Sequence, residues 1–469
     1  MVLNLLPEEE GTKVRVNECR SKSMVLQAEV ARKDHLRSLR AALTKRCKQA
    51  GFDGVGGSIF DKTLFALLRF TQQDEEVQND PLIPFLKVLP ASEGRKVMVE
   101  ELARAGMKAR AEAIVDEFFQ QYAKAAKALA KLKRKSKRQQ QDSISSASDV
   151  GSDLRSSDEP PRKIQRSRRG HDEHVQFSKP DEKSMVKVSH AELGVTVQLH
   201  RTHLSRMRRL YLRCNGGSGG SDDGEGGGSS GREGRAALDR HSDGSDSRDF
   251  RVALLRVLLR YQALGCGGFQ CALPEAAFTV LAEGWGVRGE GFASPFNCRL
   301  EGAYGSAFAD TDACFGSLGS FFDFTAADVK RHGGSFELNP PFSLDTYAAV
   351  LQHCERLLAV ASEKEAEKGE SEDDNGITFV VVVGATPTAL AHESLQGFSE
   401  SAYLTGHTRV GIAEHVYLQG TAQSDLSSDT FRACDTGIYI LQSPSASRRW
   451  PTTPEKLLRL GSSLRANGQ

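Results

Sequence analysis

The chain has 469 residues, 26% charged and 39% hydrophobic, enough for two or three domains of about 100–200 residues with cores of their own. Its longest apolar runs, such as Phe379 to Val383, fall far short of the ~18 residues of a membrane span, and Met1 to Gly11 carries three consecutive glutamates where a secretory signal would be basic and then apolar. Nine cysteines, an odd number with no C-x-x-C pair, predict buried thiols in a reducing compartment rather than a disulfide framework or a zinc finger.

The net charge of +1 hides an uneven distribution. Lys124 to Arg169 holds fourteen Lys/Arg against five Asp/Glu, whereas Glu363 to Asp374 holds seven acids against two lysines. The basic runs Lys131 to Arg138 and Arg162 to Arg169 suit a polyanion or a nuclear import receptor, or simply solvent. They are the basis for expecting a nuclear protein, with the cytoplasm as the alternative.

In chain order, residues 1–138 read as the first part of a helical domain. Leu36, Leu39, Leu43 and Cys47 recur on one helical face that Gly51 ends, and Ile114, Val115, Phe118, Phe119 and Tyr122 form a second stripe. Residues 139–184 are Gln-, Ser-, Asp- and Arg-rich, too poor in apolar surface to offset ordering entropy, and are expected to be a disordered linker. Residues 185–214 read as a helical segment: Leu204, Met207, Tyr211 and Cys214 line one side, and Arg206, Arg209 and Arg213 share a face that suits phosphates or solvent. Residues 215–248 form a Gly/Ser/Asp-rich flexible linker. Residues 249–284 then supply a helical connection, with Val252, Leu255, Leu258 and Leu259 on one side.

From 285 to 461 short apolar strands alternate with helices: Gly333 to Leu338, a helix from Asp345 to Ala361, Ile377 to Val383, and Thr436 to Gln442. The β-branched run Ile377 to Val383 has the texture of a strand buried on both faces, and the alternation predicts an α/β sheet with parallel neighbours. The acidic stretch 362–376 is expected to be a solvent loop between helix and strand.

The sharpest chemical signal is Asn339-Pro340-Pro341-Phe342, which follows the strand Ser335 to Leu338 and precedes a helix. It therefore falls at the carboxyl end of a strand, where open α/β sheets bind ligands. A Pro-Pro turn is the bland reading. The Asn/Asp-Pro-Pro-aromatic pattern is, however, the signature of amino-group methyltransferases that use S-adenosylmethionine. An exocyclic adenine amine is a poor nucleophile because its lone pair is delocalised into the ring. A carboxamide oxygen on Asn339 and the Pro340 carbonyl could accept its two N–H groups, expose that lone pair and stabilise the charge that grows during attack. Two prolines hold the acceptors still, and Phe342 could stack on the base.

Several stretches together resemble the phosphorylated-CTD-interacting-factor family: Leu259 to Tyr261, Phe269 to Pro274, Phe292 to Asn297, Asp310 to Asp312, Phe315 to Ser317, Phe336 to Phe342 and Trp450 to Glu455. Members are cap-specific adenosine N6-methyltransferases. The resemblance implies a Rossmann-like methyltransferase domain with an additional, mainly α-helical domain and disordered linkers. It implies S-adenosylmethionine as cofactor, capped mRNA as partner, and N6 methylation of a 2′-O-methyladenosine beside the cap. By the same resemblance Asn339, Pro340, Pro341 and Phe342 engage the target adenine. Phe292, Ala293, Ser294, Pro295, Asn297, Asp310 and Asp312 help form the cofactor pocket, and Arg20 and Lys22 are substrate candidates.

Two departures from the family pattern shape these expectations. The only tryptophans are Trp285 and Trp450, too far apart for a WW domain, so none is expected and no WW-mediated contact with the polymerase tail is expected. Val383 also runs straight into Gly384-Ala-Thr-Pro-Thr388, without the longer loop associated with the cap. A monomer with neither metal nor membrane is expected. Methylation of DNA adenine or of a protein glutamine, and a non-catalytic RNA-binding scaffold, stand as alternatives. His200 and His203 read as surface residues, Cys266 and Cys271 as ordinary thiols, and Glu414-His415 as a structural pair.

Overall fold

The computed structural model describes residues 23–71, 80, 82–83, 91–148, 175–215, 247–265, 270–301, 303–368, 376–425 and 429–465. Arg20, Lys22, Cys266, the basic run 162–169 and nearly all of the glycine-rich stretch 215–248 lie outside them.

The first helical stripe folds as expected. Helix α1 (Ser23–Gln49) buries Leu36, Leu39, Leu43 and Cys47 against α2 (Gly56–Thr71), α3 (Ala91–Arg104) and α4 (Ala111–Ser148). α4 contributes Ile114, Val115, Phe118, Phe119 and Tyr122, and its backbone stays helical ten residues past the expected boundary at 138.

The reading of 185–214 as helical is corrected. Strands β1 (Val175–Phe177), β2 (Met185–His190) and β3 (Val195–His200) form an antiparallel sheet, and only α5 (Arg201–Asn215) is helical. Val186, Val188, Val195, Val197 and Leu199 alternate inward, the period of a half-buried strand. The part of the expected linker from 175 to 184 belongs to this sheet and its turn.

Helix α6 (Arg248–Leu264) is buried on nearly every side rather than along one stripe, and Ser247 caps it by accepting from Phe250 N. It joins the halves of the molecule, because one continuous core takes in α1, α6, β1 to β3 and Phe296, Phe308 and Phe315 of the α/β part.

The rest of the fold is β4 (Cys271–Ala272), α7 (Glu275–Trp285), β5 (Gly289–Ala293), β6 (Tyr304–Ser306), β7 (Ser335–Leu338), α8 (Leu344–Lys368), β8 (Thr378–Gly384), β9 (Leu404–Val410), β10 (Tyr417–Gln419), β11 (Thr430–Phe431), β12 (Thr436–Gln442) and α9 (Pro454–Ser463), with short helices between. The main sheet runs β6-β5-β7-β8-β12-β9. β6, β5, β7 and β8 are parallel, as the strand-helix-strand pattern predicts. β12 departs from that pattern and lies antiparallel to both β8 and β9. β8 is buried throughout: Phe379, Val381 and Val383 enter one core and Val380 and Val382 the other.

The expected acidic loop is also corrected, because α8 runs on to Lys368. Glu365 is buried there and accepts from Ser443 Oγ at 2.7 Å and Ser445 N at 2.9 Å, so this acid docks the helix end rather than facing solvent.

Candidate active site

The chain enters the sheet at β5, passes outward to β6, then crosses back to β7 on the other side of β5. The strand order therefore reverses between β5 and β7, and open α/β sheets bind ligands beyond the carboxyl ends at such a point. Those ends are Ala293 and Leu338, followed directly by Ser294 and Asn339. A cleft with about 820 Å³ of empty space opens there, and Phe292, Ala293, Ser294, Asn297, Asn339 and Pro341 line it. Residues about 45 apart in sequence, expected to share one site, do meet.

The remaining site candidates are placed differently. Pro340 and Phe342 are not part of the lining. The Phe342 ring instead meets Tyr347 and Tyr417 edge-on, with centroids 6.5 and 5.9 Å away. The cleft takes its aromatic surface from Tyr261, Phe292, Phe321 and Phe322. Pro295 is buried in the turn after β5.

Asp310 and Asp312 stand behind the wall. Asp310 pairs with Arg260 and Arg256, each at 2.8 Å, and Arg260 also holds Glu29 of α1 at 2.7 Å. Burial opposes ionisation of Asp310, but the Arg260 and Arg256 charges outweigh it and hold its carboxyl well below the usual range. Asp312 is fully buried and accepts from Tyr261 Oη at 2.6 Å and Thr311 Oγ1 at 2.8 Å. Burial pushes its carboxyl up to about 6 against those hydrogen bonds.

Most of the cleft's polar wall is engaged within the protein. Asn297 Oδ1 accepts from Ser294 N at 2.6 Å and from Ser294 Oγ at 2.8 Å, while Asn297 Nδ2 donates to the Cys271 carbonyl. Ser306 bonds Ser317, Thr346 bonds Ser343, and Tyr261 donates to Asp312. The Asn339 side chain is different: among the described residues it has no hydrogen-bond partner. The Pro340 carbonyl is likewise without a donor there, whereas Pro341's accepts from Ser343 N at 2.7 Å. Asn339 thus brings an unpaired side chain to the cleft, whereas Pro340, though its carbonyl is also unpaired, is buried outside the lining.

Gln270, Tyr261 and Thr346 line the cleft without having been assigned a role in the sequence. Gln270 and Tyr261 lie inside stretches of the family resemblance, the one signal that marked them. Elsewhere, Arg206, Arg209 and Arg213 all approach Glu301, with Arg206 buried and Arg209 and Arg213 still exposed to solvent. His203 is buried rather than on the surface, its Nε2 against the Ser424 carbonyl, and burial with the nearby Arg206 charge lowers it to about 3. His415 bonds Thr436 Oγ1 and the Gly411 carbonyl, a structural role.

The chain is thus an open α/β protein with a cleft at the switch point of its sheet and an unpaired carboxamide, Asn339, on the Pro-Pro turn beside it. Comparison with known proteins sharpens this. Residues 237–420 match the family model described as the phosphorylated CTD interacting factor 1 WW domain. The chain is also 32% identical over 235 residues to the mRNA (2′-O-methyladenosine-N(6)-)-methyltransferase of Homo sapiens and to that of Mus musculus; each match takes in 48% of this chain and 31% of the relative. The chain thus spans about a third of the length of these curated relatives. Both findings support the family resemblance. The family-model match overturns the expectation that the chain lacks a WW domain, and with it the expectation that WW-mediated binding to the polymerase tail is absent.

Proposed function

We propose that this chain is an S-adenosylmethionine-dependent, Rossmann-like RNA methyltransferase that acts at N6 of a 2′-O-methyladenosine next to the mRNA cap. The observation that carries the reading is the unpaired Asn339 side chain, which lines the cleft at the switch point of the sheet on a Pro-Pro turn. The names and identity of the human and mouse relatives support the substrate class.

The residues present suit the cofactor. The cleft offers aromatic and small apolar surface with a few polar groups, the character of small-molecule sites. One lining group, Gln270 Oε1, is buried without a partner among the described residues, as expected of a wall completed by a ligand. Phe292, Ala293, Ser294 and Gln270 would hold the cofactor, which supplies an electrophilic sulfonium methyl. Asn339 and Pro340 accept the N–H groups of the target amine and keep its lone pair directed away from the ring. Preorganised acceptors of this kind favour the charge that builds on nitrogen and need no reorganisation as it forms. The proton lost afterwards leaves an acidic ammonium, so no strong base is called for.

Radiolabelled cofactor with RNAs beginning m7G-2′-O-methyladenosine, m7G-adenosine or uncapped adenosine tests this directly. Methylation confined to capped RNA is expected. Equal labelling of uncapped RNA would defeat the cap claim, and labelling of DNA or a glutamine peptide alone would replace the RNA reading.

A further inference from the structure

We infer that Gln270 is a cofactor-binding residue whose carboxamide completes its hydrogen bonds only when S-adenosylmethionine is bound. This rests on the methyltransferase reading above and adds to it a contact that neither the family match nor the motif assigns.

Three carboxamides line the cleft: Asn297, Asn339 and Gln270. Asn297 is engaged at both ends inside the turn after β5. Asn339 sits on the Pro-Pro turn, where the target amine is expected. Gln270 is only 6% exposed, and its Oε1 has no partner among the described residues. Burying an amide oxygen unpaired is destabilising, and a ligand that brings an N–H removes the penalty.

The residue is also held rigidly. Its own carbonyl accepts from Gly420 N at 2.7 Å, and the carbonyl of the next residue, Cys271, accepts from Asn297 Nδ2 at 3.2 Å. A Cβ on Gly420 would stand 2.3 Å from the Gln270 carbonyl oxygen and 2.2 Å from Asn297 Cβ, so only glycine lets these three segments meet. Gln270 is therefore tied to the loop after β5, whereas Asn339 follows the neighbouring strand β7, and on the methyltransferase reading this assigns Gln270 to the cofactor rather than to the target base. Either orientation of the amide presents a donor beside an acceptor. Two parts of the cofactor match that pair: the adenine edge and the ammonium-carboxylate end.

The test is calorimetric titration of the full chain with S-adenosylhomocysteine and with 5′-methylthioadenosine, which lacks the amino-acid end. Gln270→Ala and the better-packing Gln270→Met should each weaken S-adenosylhomocysteine by about tenfold or more, the scale of one lost buried hydrogen bond. Their melting temperatures should stay near wild type. An equal loss for methylthioadenosine places the contact at the adenine; a loss confined to S-adenosylhomocysteine places it at the amino-acid end. Wild-type affinity in a folded Gln270→Met chain would overturn the inference, showing that water alone satisfies the amide. So would a raised KM for RNA with unchanged cofactor affinity. If the wild-type chain itself bound neither compound, the methyltransferase reading would fail instead.

Discussion

Glu290 and Glu337 are direct neighbours across the parallel strands β5 and β7, both almost fully buried, directly beneath the strand ends that form the cleft. Glu290 accepts from Arg299 N and Leu300 N at 2.6 Å, but Glu337 Oε1 has no partner among the described residues. Burial pushes Glu290 up to about 7, against those two N–H groups and the Arg206 and Arg299 charges. Burial, then the neighbouring Glu290, raises Glu337 well above its ordinary value. Two like charges this close cannot both be ionised cheaply, so the pair holds at least one proton at neutral pH.

The consequence for stability has a definite sign. A carboxyl raised in the folded state contributes fully below its unfolded value of 4.5, and that contribution is lost as pH rises through the folded value. For Glu290 the window is 4.5 to about 7, on the order of 3 kcal/mol across it. Glu290→Gln mimics the neutral form of the group with that window. Its urea midpoint should match wild type near pH 5 and exceed it near pH 8.5. Parallel curves for the two proteins across this range would mean that Glu290 is not the group being neutralised.

Asn339→Ala removes one open acceptor while leaving the turn and the loop after β5 intact. Methyl transfer should fall by about 10²–10³-fold, the usual effect of deleting one preorganised partner of a developing charge. Affinity for S-adenosylhomocysteine should change less than about threefold if, as proposed, Asn339 holds the target amine rather than the cofactor. Single-turnover rates and calorimetry separate the two quantities. A variant that turns over at the wild-type rate rules out the acceptor role.

The helical part is fastened to the site by charge as well as by apolar packing. Arg260, fully buried, joins Glu29 of α1 to Asp310 beside the cleft wall, and Arg32 extends the network to Asp80 at 2.7 Å. Arg260→Met removes one of the cations on the Glu29 carboxylate, leaving it Arg32 and Arg256 among the described residues. Loss of one partner from such a buried group costs about 3–5 kcal/mol, less here because half-exposed Asp310 keeps Arg256 and some solvent. Glu29→Gln combined with Arg260→Met should recover part of the loss. Strict additivity in chemical denaturation would show that the two side chains do not act as a unit.

What was legible in the sequence followed local pattern. The β8 run, the α1 stripe and the strand-Pro-Pro turn each announce themselves within ten to fifteen residues, and Asn339 is found because its motif is contiguous. The hairpin of β2 and β3 was equally visible as alternation, but the strong helical stripe of α5 that follows it drew the reading of 185–214 towards helix. Helix α6 reads as one-sided from Val252, Leu255, Leu258 and Leu259, whereas the structure also buries Arg260, which the carboxylates of two distant segments, Glu29 and Asp310, make possible. Likewise, Asp310 and Asp312 read as open ligands until Arg256, Arg260 and Tyr261 were placed against them. Gln270 lay inside a stretch of the family resemblance, but nothing local gave it a role until the partners of the neighbouring amides were known.

Gly384, at the end of β8, sets the position of the last motif residue. A Cβ there would lie 2.7 Å from Phe342 Cδ2 and 2.9 Å from Cys434 Sγ, and Gly384 N also donates to Tyr347 Oη at 2.9 Å. The Phe342 ring, lodged between Tyr347 and Tyr417, has little room to withdraw. Gly384→Ala should therefore push on the residue directly after the Pro-Pro turn, at an overpacking cost of about 1–3 kcal/mol. On the proposed reading the Pro-Pro turn holds the target amine and the loop after β5 the cofactor, so kcat for RNA should drop at least about tenfold while cofactor affinity holds. Thermal melting establishes that the variant is folded, and single-turnover kinetics reads the effect. If a folded Gly384→Ala chain keeps its full rate, the seat of Phe342 does not control the geometry of the acceptors beside it.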